Sequence, residues 1–140
     1  MKKTKGFTLI ELILTIAILA LLVGVGSLRY DFLTNYQEKI EIESVLRTIN
    51  EARNASITSG YVHTVTFSRN ENMVQVNKGY EVVDKLDLNK LQVLERNSFR
   101  FTTTGAPSKA GTYYILGHKK EYIITIEVAT GKVNLIEKEI

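Results

Sequence analysis

The stretch Lys5-Gly6-Phe7-Thr8-Leu9-Ile10-Glu11-Leu12 opens the run of apolar residues that decides how this chain folds. From Phe7 to Val25 there are nineteen residues, and Glu11 is the single charged one among them. At about 1.5 Å per residue, a helix over this run is roughly 28 Å long, which matches the roughly 30 Å hydrocarbon core of a bilayer. We therefore expect residues 7–29 to form a helix that spans a membrane once.

A short basic leader, residues 1–6, precedes the apolar run. Its Lys2, Lys3 and Lys5 account for the net charge of +3, because the rest of the chain has fifteen basic and fifteen acidic residues. Positive charge before an apolar segment is typical of a cytoplasmic N-terminus, so we expect a single-pass protein with residues 30–140 outside the membrane as a globular domain. The balanced charge of the remainder argues against a generally cationic, nucleic-acid-binding surface.

The helical pattern continues beyond the apolar run, and no proline before Pro107 interrupts it. One face carries residues at the spacing of an amphipathic helix, namely Ile42, Val45, Leu46, Ile49, Ala52 and Ser56. We assign the other faces to charged residues, namely Glu38, Glu41, Glu43, Arg47, Glu51 and Arg53. The pattern predicts one stem helix from about Phe7 to about Ser59, ended by Gly60, with its second half packed on a sheet.

From Tyr61 onward the apolar residues recur with a period of two, which is typical of strands. The candidate strands are residues 61–67, 73–76, 80–83, 91–94, 99–101, 113–116, 122–128 and 133–136. A helix followed by strands of this kind predicts an α+β fold, in which a small antiparallel sheet covers one face of the stem.

The basic leader, the glycine, the phenylalanine and the glutamate five residues beyond the glycine resemble the N-terminal processing motif of type IV prepilins and pseudopilins. The resemblance implies that prepilin peptidase cleaves between Gly6 and Phe7, and that Phe7 becomes the N-methylated terminus. It also implies that Glu11 helps to recruit and register other pilin subunits in a filament assembled at the cell membrane. Cleavage by an ordinary signal peptidase after the apolar run is the alternative interpretation of the leader.

An ionised Glu11 within the membrane needs a partner, because the hydrocarbon core solvates a carboxylate poorly. After cleavage, no basic residue follows on the same helix within two turns. The amino terminus at Phe7, from the same or a neighbouring subunit, is therefore the expected cation. The alternative interpretation is a glutamate that snorkels to the membrane interface.

The C-terminal part is similar to the globular domain of H-type minor pseudopilins, and its spacing is nearest to the minor pseudopilin of Gram-positive competence systems. The similarity follows glycines and alternating apolar positions, namely residues 101–107, Gly111, Gly117, residues 122–126 and residues 131–134. Many major pilins have a proline in the membrane helix and a disulfide, and this chain has neither. These departures favour a minor subunit of a DNA-uptake, pilus or type II secretion machine.

Six basic residues are concentrated in the last third of the chain, namely Arg96, Arg100, Lys109, Lys119, Lys120 and Lys132. If loops bring several of them together, they form a patch that contacts DNA phosphates; the alternative is a mixed-charge surface, because glutamates lie among them. No catalytic motif is present, and His63 and His118 are the only histidines. We therefore predict no enzyme activity, no metal site and no cofactor.

Overall fold

Residues 7–140 are described by a computed structural model, and for residues 27–31 only the backbone is described. The leader, with Gly6 and its three lysines, therefore lies outside the described residues. The chain divides into two compact units, one ending at Asn35 and one comprising Tyr36–Ile140.

Helix α1 runs from Leu9 to Ser59, which confirms the stem predicted from the sequence. Gly60 follows it in the left-handed conformation, with φ of 69°, and its N–H donates to the Ser56 carbonyl at 3.1 Å. Glycine adopts this conformation without a clash because it has no Cβ. Gly60 therefore ends the helix, as predicted.

In the first unit, α1 has the length and composition of a membrane span. The segment Leu9–Gly26 has a mean hydropathy of 2.7, and none of it is buried within the chain. Its large apolar side chains are exposed on every side of the helix, from 47% at Val25 to 78% at Leu9. A helix that is apolar all round requires an apolar environment, which a bilayer or neighbouring apolar helices supply.

Eight strands follow the helix. They are β1 His63–Ser68, β2 Met73–Lys78, β3 Glu81–Asp87, β4 Gln92–Val93, β5 Asn97–Phe101, β6 Gly111–Leu116, β7 Lys120–Ile126 and β8 Val133–Glu139. Every pairing between these strands is antiparallel. A long helix followed by antiparallel strands confirms the predicted α+β class.

The strands form two four-stranded sheets, where the sequence predicted a single sheet. Sheet A has the order β3-β2-β1-β5, and sheet B has the order β4-β6-β7-β8. The chain leaves sheet A for the short strand β4 and then returns to sheet A with β5, beside β1. The period-two pattern shows which face of a strand is buried but not which strands pair, so this division was not visible in the sequence.

Seven residues at the ends of four predicted strands lie outside the observed ones, namely Tyr61, Val62, Tyr80, Leu91, Leu94, Glu127 and Val128. Tyr61 belongs to the connection between Gly60 and β1, and its side chain is 58% exposed. Val128 lies in the turn between β7 and β8, where the Gly131 N–H donates to the Glu127 carbonyl at 2.9 Å. The turn begins earlier than the alternation of apolar residues suggested.

The core of the second unit joins α1 to both sheets. One apolar cluster contains inward-facing residues of the two sheets and four residues of the helix, namely Ile42, Val45, Ile49 and Ala52. Phe67 of sheet A stacks on Tyr113 of sheet B, with ring centroids 4.8 Å apart. Phe99 of sheet A contacts the same tyrosine at 5.2 Å. These aromatic contacts hold the two sheets together.

Tyr113 brings a polar atom into this core. Its hydroxyl is buried and has no hydrogen-bond partner among the residues that the structure describes. Burial raises the pKa of Tyr113 to about 12. Because the folded pKa is raised, the contribution of this group to folding is complete below the ordinary tyrosine pKa of about 10 and is lost as the pH rises through the raised value.

Replacing Tyr113 by phenylalanine should leave the free energy of unfolding unchanged or raise it by about 1 kcal/mol, because the ring contacts remain and an unsatisfied hydroxyl is removed. Urea unfolding of the detergent-solubilised chain, followed by circular dichroism, measures this. The matched control is Tyr122→Phe, which removes a hydroxyl that does have a partner, the Glu38 carboxylate at 3.4 Å, and should cost about 1 kcal/mol. Destabilisation by Tyr113→Phe of the same size as in the control would show that the Tyr113 hydroxyl is satisfied.

Candidate functional site

The residues at the predicted cleavage point lie just before α1. Phe7 and Thr8 are not helical, and the Phe7 side chain is 79% exposed. Glu11 lies in the first turn of the helix. Gly6, on the other side of the predicted cut, is outside the described part of the chain. Phe7 and Glu11 are therefore about one helical turn apart at the start of the apolar segment.

Thr8 and Glu11 cap the helix reciprocally. One Glu11 carboxylate oxygen accepts hydrogen bonds from the Thr8 backbone N–H and from the Thr8 hydroxyl, both at 2.9 Å. The Glu11 backbone N–H donates to the Thr8 hydroxyl oxygen at 3.4 Å. This arrangement is a capping box, in which a threonine before the first turn and a glutamate three residues later satisfy each other's free backbone groups. We did not predict this role of Thr8, although the Thr-x-x-Glu spacing of residues 8–11 indicates it.

The capping box defines the state of Glu11 in a single subunit. The carboxylate already accepts two hydrogen bonds from its own chain, so it is not an unpartnered charge at the start of the apolar segment. A protonated amino group at the same carboxylate would form a charge-assisted hydrogen bond, which is stronger than a bond from a neutral donor. The two donors that Glu11 has in this structure are neutral and belong to Thr8.

In the second unit, the assignment of Glu38 to a face of the helix other than the buried one is wrong, because this side chain has 0% exposure. Its carboxylate accepts a hydrogen bond from the His118 backbone N–H at 2.6 Å and another from the Tyr122 hydroxyl at 3.4 Å. Burial, reinforced by the Glu38 charge, raises the pKa of Tyr122 to about 12. Gly117 leaves the space for the carboxylate, since a Cβ there would lie 2.5 Å from a Glu38 oxygen. Glu38 thus holds the β6–β7 turn against the helix.

Glu41, one turn further along α1, anchors the loop between β3 and β4. Its two carboxylate oxygens accept from three successive backbone N–H groups at distances of 3.0 to 3.1 Å, those of Asn89, Lys90 and Leu91. Successive N–H groups that converge in this way form a nest that binds an anion. Here the anion is a side chain of the same protein, and it fixes the point where the chain passes from sheet A to sheet B.

Arg53 anchors two further turns near the end of the helix. Its Nε donates to the Gly105 carbonyl at 3.2 Å, and a terminal guanidinium nitrogen donates to the Thr130 carbonyl at 2.8 Å. Gly131 has a left-handed φ of 64°, and a Cβ at this position would lie 2.6 Å from the Gly105 oxygen. Glycine is therefore required where the β5–β6 and β7–β8 connections meet at the guanidinium.

From the sequence, the three loop-anchoring side chains were assigned to faces of the helix other than the buried one, namely Glu38, Glu41 and Arg53, and their contacts with loops were not predicted. For Glu38 the sequence contains a usable signal, because it lies four residues before Ile42 and so continues the buried stripe by one turn. The prediction gave more weight to the charge of Glu38 than to its position in line with the buried residues. For Glu41 and Arg53, which flank the stripe, the partners are backbone groups of distant loops, and no sequence pattern indicates them.

The six basic residues of the predicted patch lie in two groups. Arg100 and Lys109 line one cleft on the outer face of sheet A, and Arg96 lines a second cleft on that face. The other three, Lys119, Lys120 and Lys132, belong to the connections and strand starts of sheet B. A hydrogen bond from Lys120 to Glu137 at 2.7 Å, together with the glutamate charge, raises the pKa of Lys120. The structure therefore brings together three of the six residues.

No group of three histidine, cysteine, aspartate or glutamate side chains converges as a set of metal ligands among the described residues. His63 is buried, and its Nδ1 lies 3.0 Å from the Tyr61 carbonyl. His118 contributes its backbone N–H to Glu38.

Changing Glu41 to alanine should lower the free energy of unfolding by about 2 kcal/mol, because three backbone N–H groups lose a charged acceptor. Glu43→Ala is the matched control, since Glu43 is exposed two positions along the same helix and its loss should change stability by less than about 0.5 kcal/mol. Urea unfolding of the detergent-solubilised chain measures both variants. Equal stabilities of the two variants would mean that the β3–β4 loop does not depend on the carboxylate.

The N-terminal residues match a known family model, the prokaryotic N-terminal methylation motif, over residues 1–27. No curated protein sequence matches the chain significantly. The matched segment contains the predicted cleavage point, the capping box and the whole apolar run.

Solved structures show a similarity in fold over 70% of the chain. The type IV minor pilin FimU of Pseudomonas aeruginosa is similar with a TM-score of 0.56 and 15% identity, over 70% of this chain and 87% of that protein. The minor pseudopilin EpsH from the type 2 secretion system of Vibrio cholerae is similar with a TM-score of 0.56 and 14% identity, over 70% of this chain and 94% of that protein. The chain thus combines the N-terminal methylation motif of type IV pilins with the α+β fold of minor pilins and minor pseudopilins.

Proposed function

We propose that this chain is a minor pilin or pseudopilin, a structural subunit of a type IV pilus-like or type II secretion filament. The observation that supports this most directly is the methylation motif, with its capping box, at the start of the helical segment Leu9–Gly26, whose large apolar side chains are exposed. Such a segment buries nothing within its own chain, and a bilayer before assembly and other apolar helices after assembly supply its apolar surroundings. The pilin-like fold of the second unit is consistent with this role.

In this proposal, the chain has three functional parts. Residues 1–6 are a leader that prepilin peptidase removes, residues 7–29 are the membrane-spanning half of the stem, and residues 30–140 are the globular domain. The lysines of the leader hold the N-terminus on the cytoplasmic side, which places the globular domain outside the membrane. Cleavage between Gly6 and Phe7 creates a new amino terminus, which is then methylated.

Glu11 would act during incorporation into the filament. Its carboxylate lies in the first turn of α1, and in the single subunit it accepts hydrogen bonds from two neutral donors of Thr8. An amino terminus of a neighbouring subunit carries a positive charge and so pairs with this carboxylate more strongly in an apolar environment. Pairing of this kind fixes the axial register of one helix on the next.

A second function, contact with DNA by a subunit of an uptake filament, is favoured by one observation. Arg96, Arg100 and Lys109 lie on one face of sheet A, whereas their predicted companions lie elsewhere. A competence machine would require such a contact, and a surface pilus or secretion filament would not.

Processing should remove six residues. Intact-mass analysis of the protein from cells that contain prepilin peptidase should show a chain that begins at a methylated Phe7. A Gly6→Val variant should retain the leader, because the motif requires a small residue at the cut. A mature chain that begins after Gly26 would show instead that this is an ordinary signal peptide.

Changing Glu11 to alanine should leave membrane insertion and cleavage intact but reduce incorporation into filaments, because the amino terminus loses its carboxylate. The measurement is the distribution of processed subunit between membrane and sheared-filament fractions. The matched control is Thr8→Val, which removes the hydroxyl of the capping box but keeps the carboxylate, and should be incorporated like the wild type. Equal incorporation of Glu11→Ala and wild type would exclude a register role for Glu11, and loss in both variants would point to the helix cap instead.

A further inference from the structure

The outer face of sheet A has an unusual composition. Every outward-facing position of β1 carries a hydroxyl, and the neighbouring positions of β2 and β5 continue the set with amides and a further hydroxyl. These side chains are Thr64, Thr66, Ser68, Gln75, Asn77 and Ser98. Uncharged hydrogen-bonding groups thus cover the middle of a sheet face, where alternating charged residues would be ordinary for a solvated surface.

Strand register makes these side chains continuous across the sheet. Thr66 is opposite Gln75 on one side and Ser98 on the other. In the next row, Thr64 is opposite Asn77 and Arg100. Because directly opposed residues lie on the same face, each row presents three polar side chains in line.

Two adjoining clefts follow these rows, and cations border both. Thr64, Ser98, Arg100, Ser108 and Lys109 line one cleft. Arg96 lines the other, together with Thr66, Ser68, Gln75 and Asn77. The clefts adjoin because two of the opposed pairs, Thr66 with Ser98 and Thr64 with Asn77, have one member in each cleft. The Lys109 ammonium lies 3.3 Å from the Asn97 side-chain oxygen, which holds it beside β5.

The charge of this face is positive. Arg96, Arg100 and Lys109 are its cations, and Glu71 contributes the single carboxylate among the side chains that line the two clefts. The cationic Lys85 of the edge strand β3 is already paired with Asp87 at 3.2 Å, so it adds no net charge. The described part of this face therefore complements an anion.

We propose that the outer face of sheet A binds the phosphate backbone of duplex DNA. Arginine, lysine, serine, threonine, asparagine and glutamine are the side chains that contact DNA phosphates and sugars, and this face is composed of them. Arg96 and Arg100 are four residues apart in extended chain, about 13 Å, a span over which one DNA strand carries about four phosphates.

Duplex DNA fits the face better than a single strand does. Binding of single strands relies on exposed aromatic rings on which bases stack. Among the described residues that line the two clefts, Phe99 is the single aromatic one, and it is 2% exposed. The face therefore offers contacts to a sugar–phosphate backbone and no ring for stacking.

This inference rests on the proposed function in one respect, that the second unit lies outside the membrane where DNA reaches it.

The test measures binding of the full chain, in nonionic detergent, to a fluorescent 20-base-pair duplex by anisotropy. With three phosphates neutralised, the affinity should fall with a log–log slope of about −2.7, or about 40-fold between 50 and 200 mM salt. The variant Arg100→Ala/Lys109→Ala should lower the slope to about −0.9 and the affinity at 50 mM salt by about tenfold or more. The matched control, Lys132→Ala/Lys138→Ala, removes the same charge from sheet B and should bind like the wild type.

Three results would overturn the proposal: no binding by the wild type at 50 mM salt, equal loss in the two double variants, or tighter binding of a single strand than of the duplex. Anionic vesicles that compete with DNA through the same two residues would assign the face to membranes instead. The same variants should enter sheared filaments like the wild type. Failure of the wild-type chain to be processed and incorporated would overturn the proposed function, whereas failure to bind DNA would overturn only the present inference.

Discussion

One helix that must meet two different environments is the constraint on which the rest of the structure depends. Over Leu9–Gly26 the helix α1 is apolar on every side and buries nothing within its chain. Beyond Tyr36 the same element has a single buried stripe, which runs through Ile42, Val45 and Ile49 to the end of the helix. No cap or proline separates the two parts, so the change from an all-apolar surface to an amphipathic one is made by the side chains alone. The sheets supply the apolar surface that the second part needs, and the first part must find its own outside the chain.

The second unit is small and has no cysteine, so its loops cannot be held by disulfides. The loops are held instead by three side chains of α1, namely Glu38, Glu41 and Arg53. Each reaches from α1 to backbone groups far away in sequence, and together they hold four connections between strands. A hydrogen bond to a charged group stabilises by about 1.5–3 kcal/mol, so the contribution of each of these side chains is comparable with the about 2–4 kcal/mol of one disulfide. The loops are therefore fixed by the same helix that carries the core stripe, and a shift of the helix would disturb all of them at once.

The sequence predicted the elements whose signals are local and failed where partners are distant. The stem, its end at Gly60 and the α+β class depend on periodicity and on one glycine, and all three are confirmed. The division into two sheets was missed because β4 belongs to sheet B and the next strand, β5, belongs to sheet A. The alternation of apolar residues does not indicate which strands pair. Glu38 was assigned to a face other than the buried one because it is charged, although its position four residues before Ile42 puts it in line with the buried residues of the helix. At the N-terminus, the motif predicted roles for Phe7 and Glu11. The contact between Thr8 and Glu11 was not predicted, although the Thr-x-x-Glu spacing is typical of a capping box.

The capping box gives the proposed exchange at Glu11 a direction. Without the Thr8 hydroxyl, a lone subunit would keep only the backbone N–H of residue 8 as a donor to this carboxylate, and a poorly partnered charge is unfavourable in a membrane. With Thr8, the carboxylate is satisfied by two neutral donors, so the subunit can wait in the membrane. A charged amino terminus is a stronger partner in the same apolar environment, because charge–charge attraction grows as the local dielectric falls. A much stronger local partner, such as a lysine on the next turn, would hold the carboxylate and oppose assembly. In the proposed exchange, a threonine cap suits this task, because its neutral donors would stabilise the waiting state less than a charged amino terminus would stabilise the assembled one.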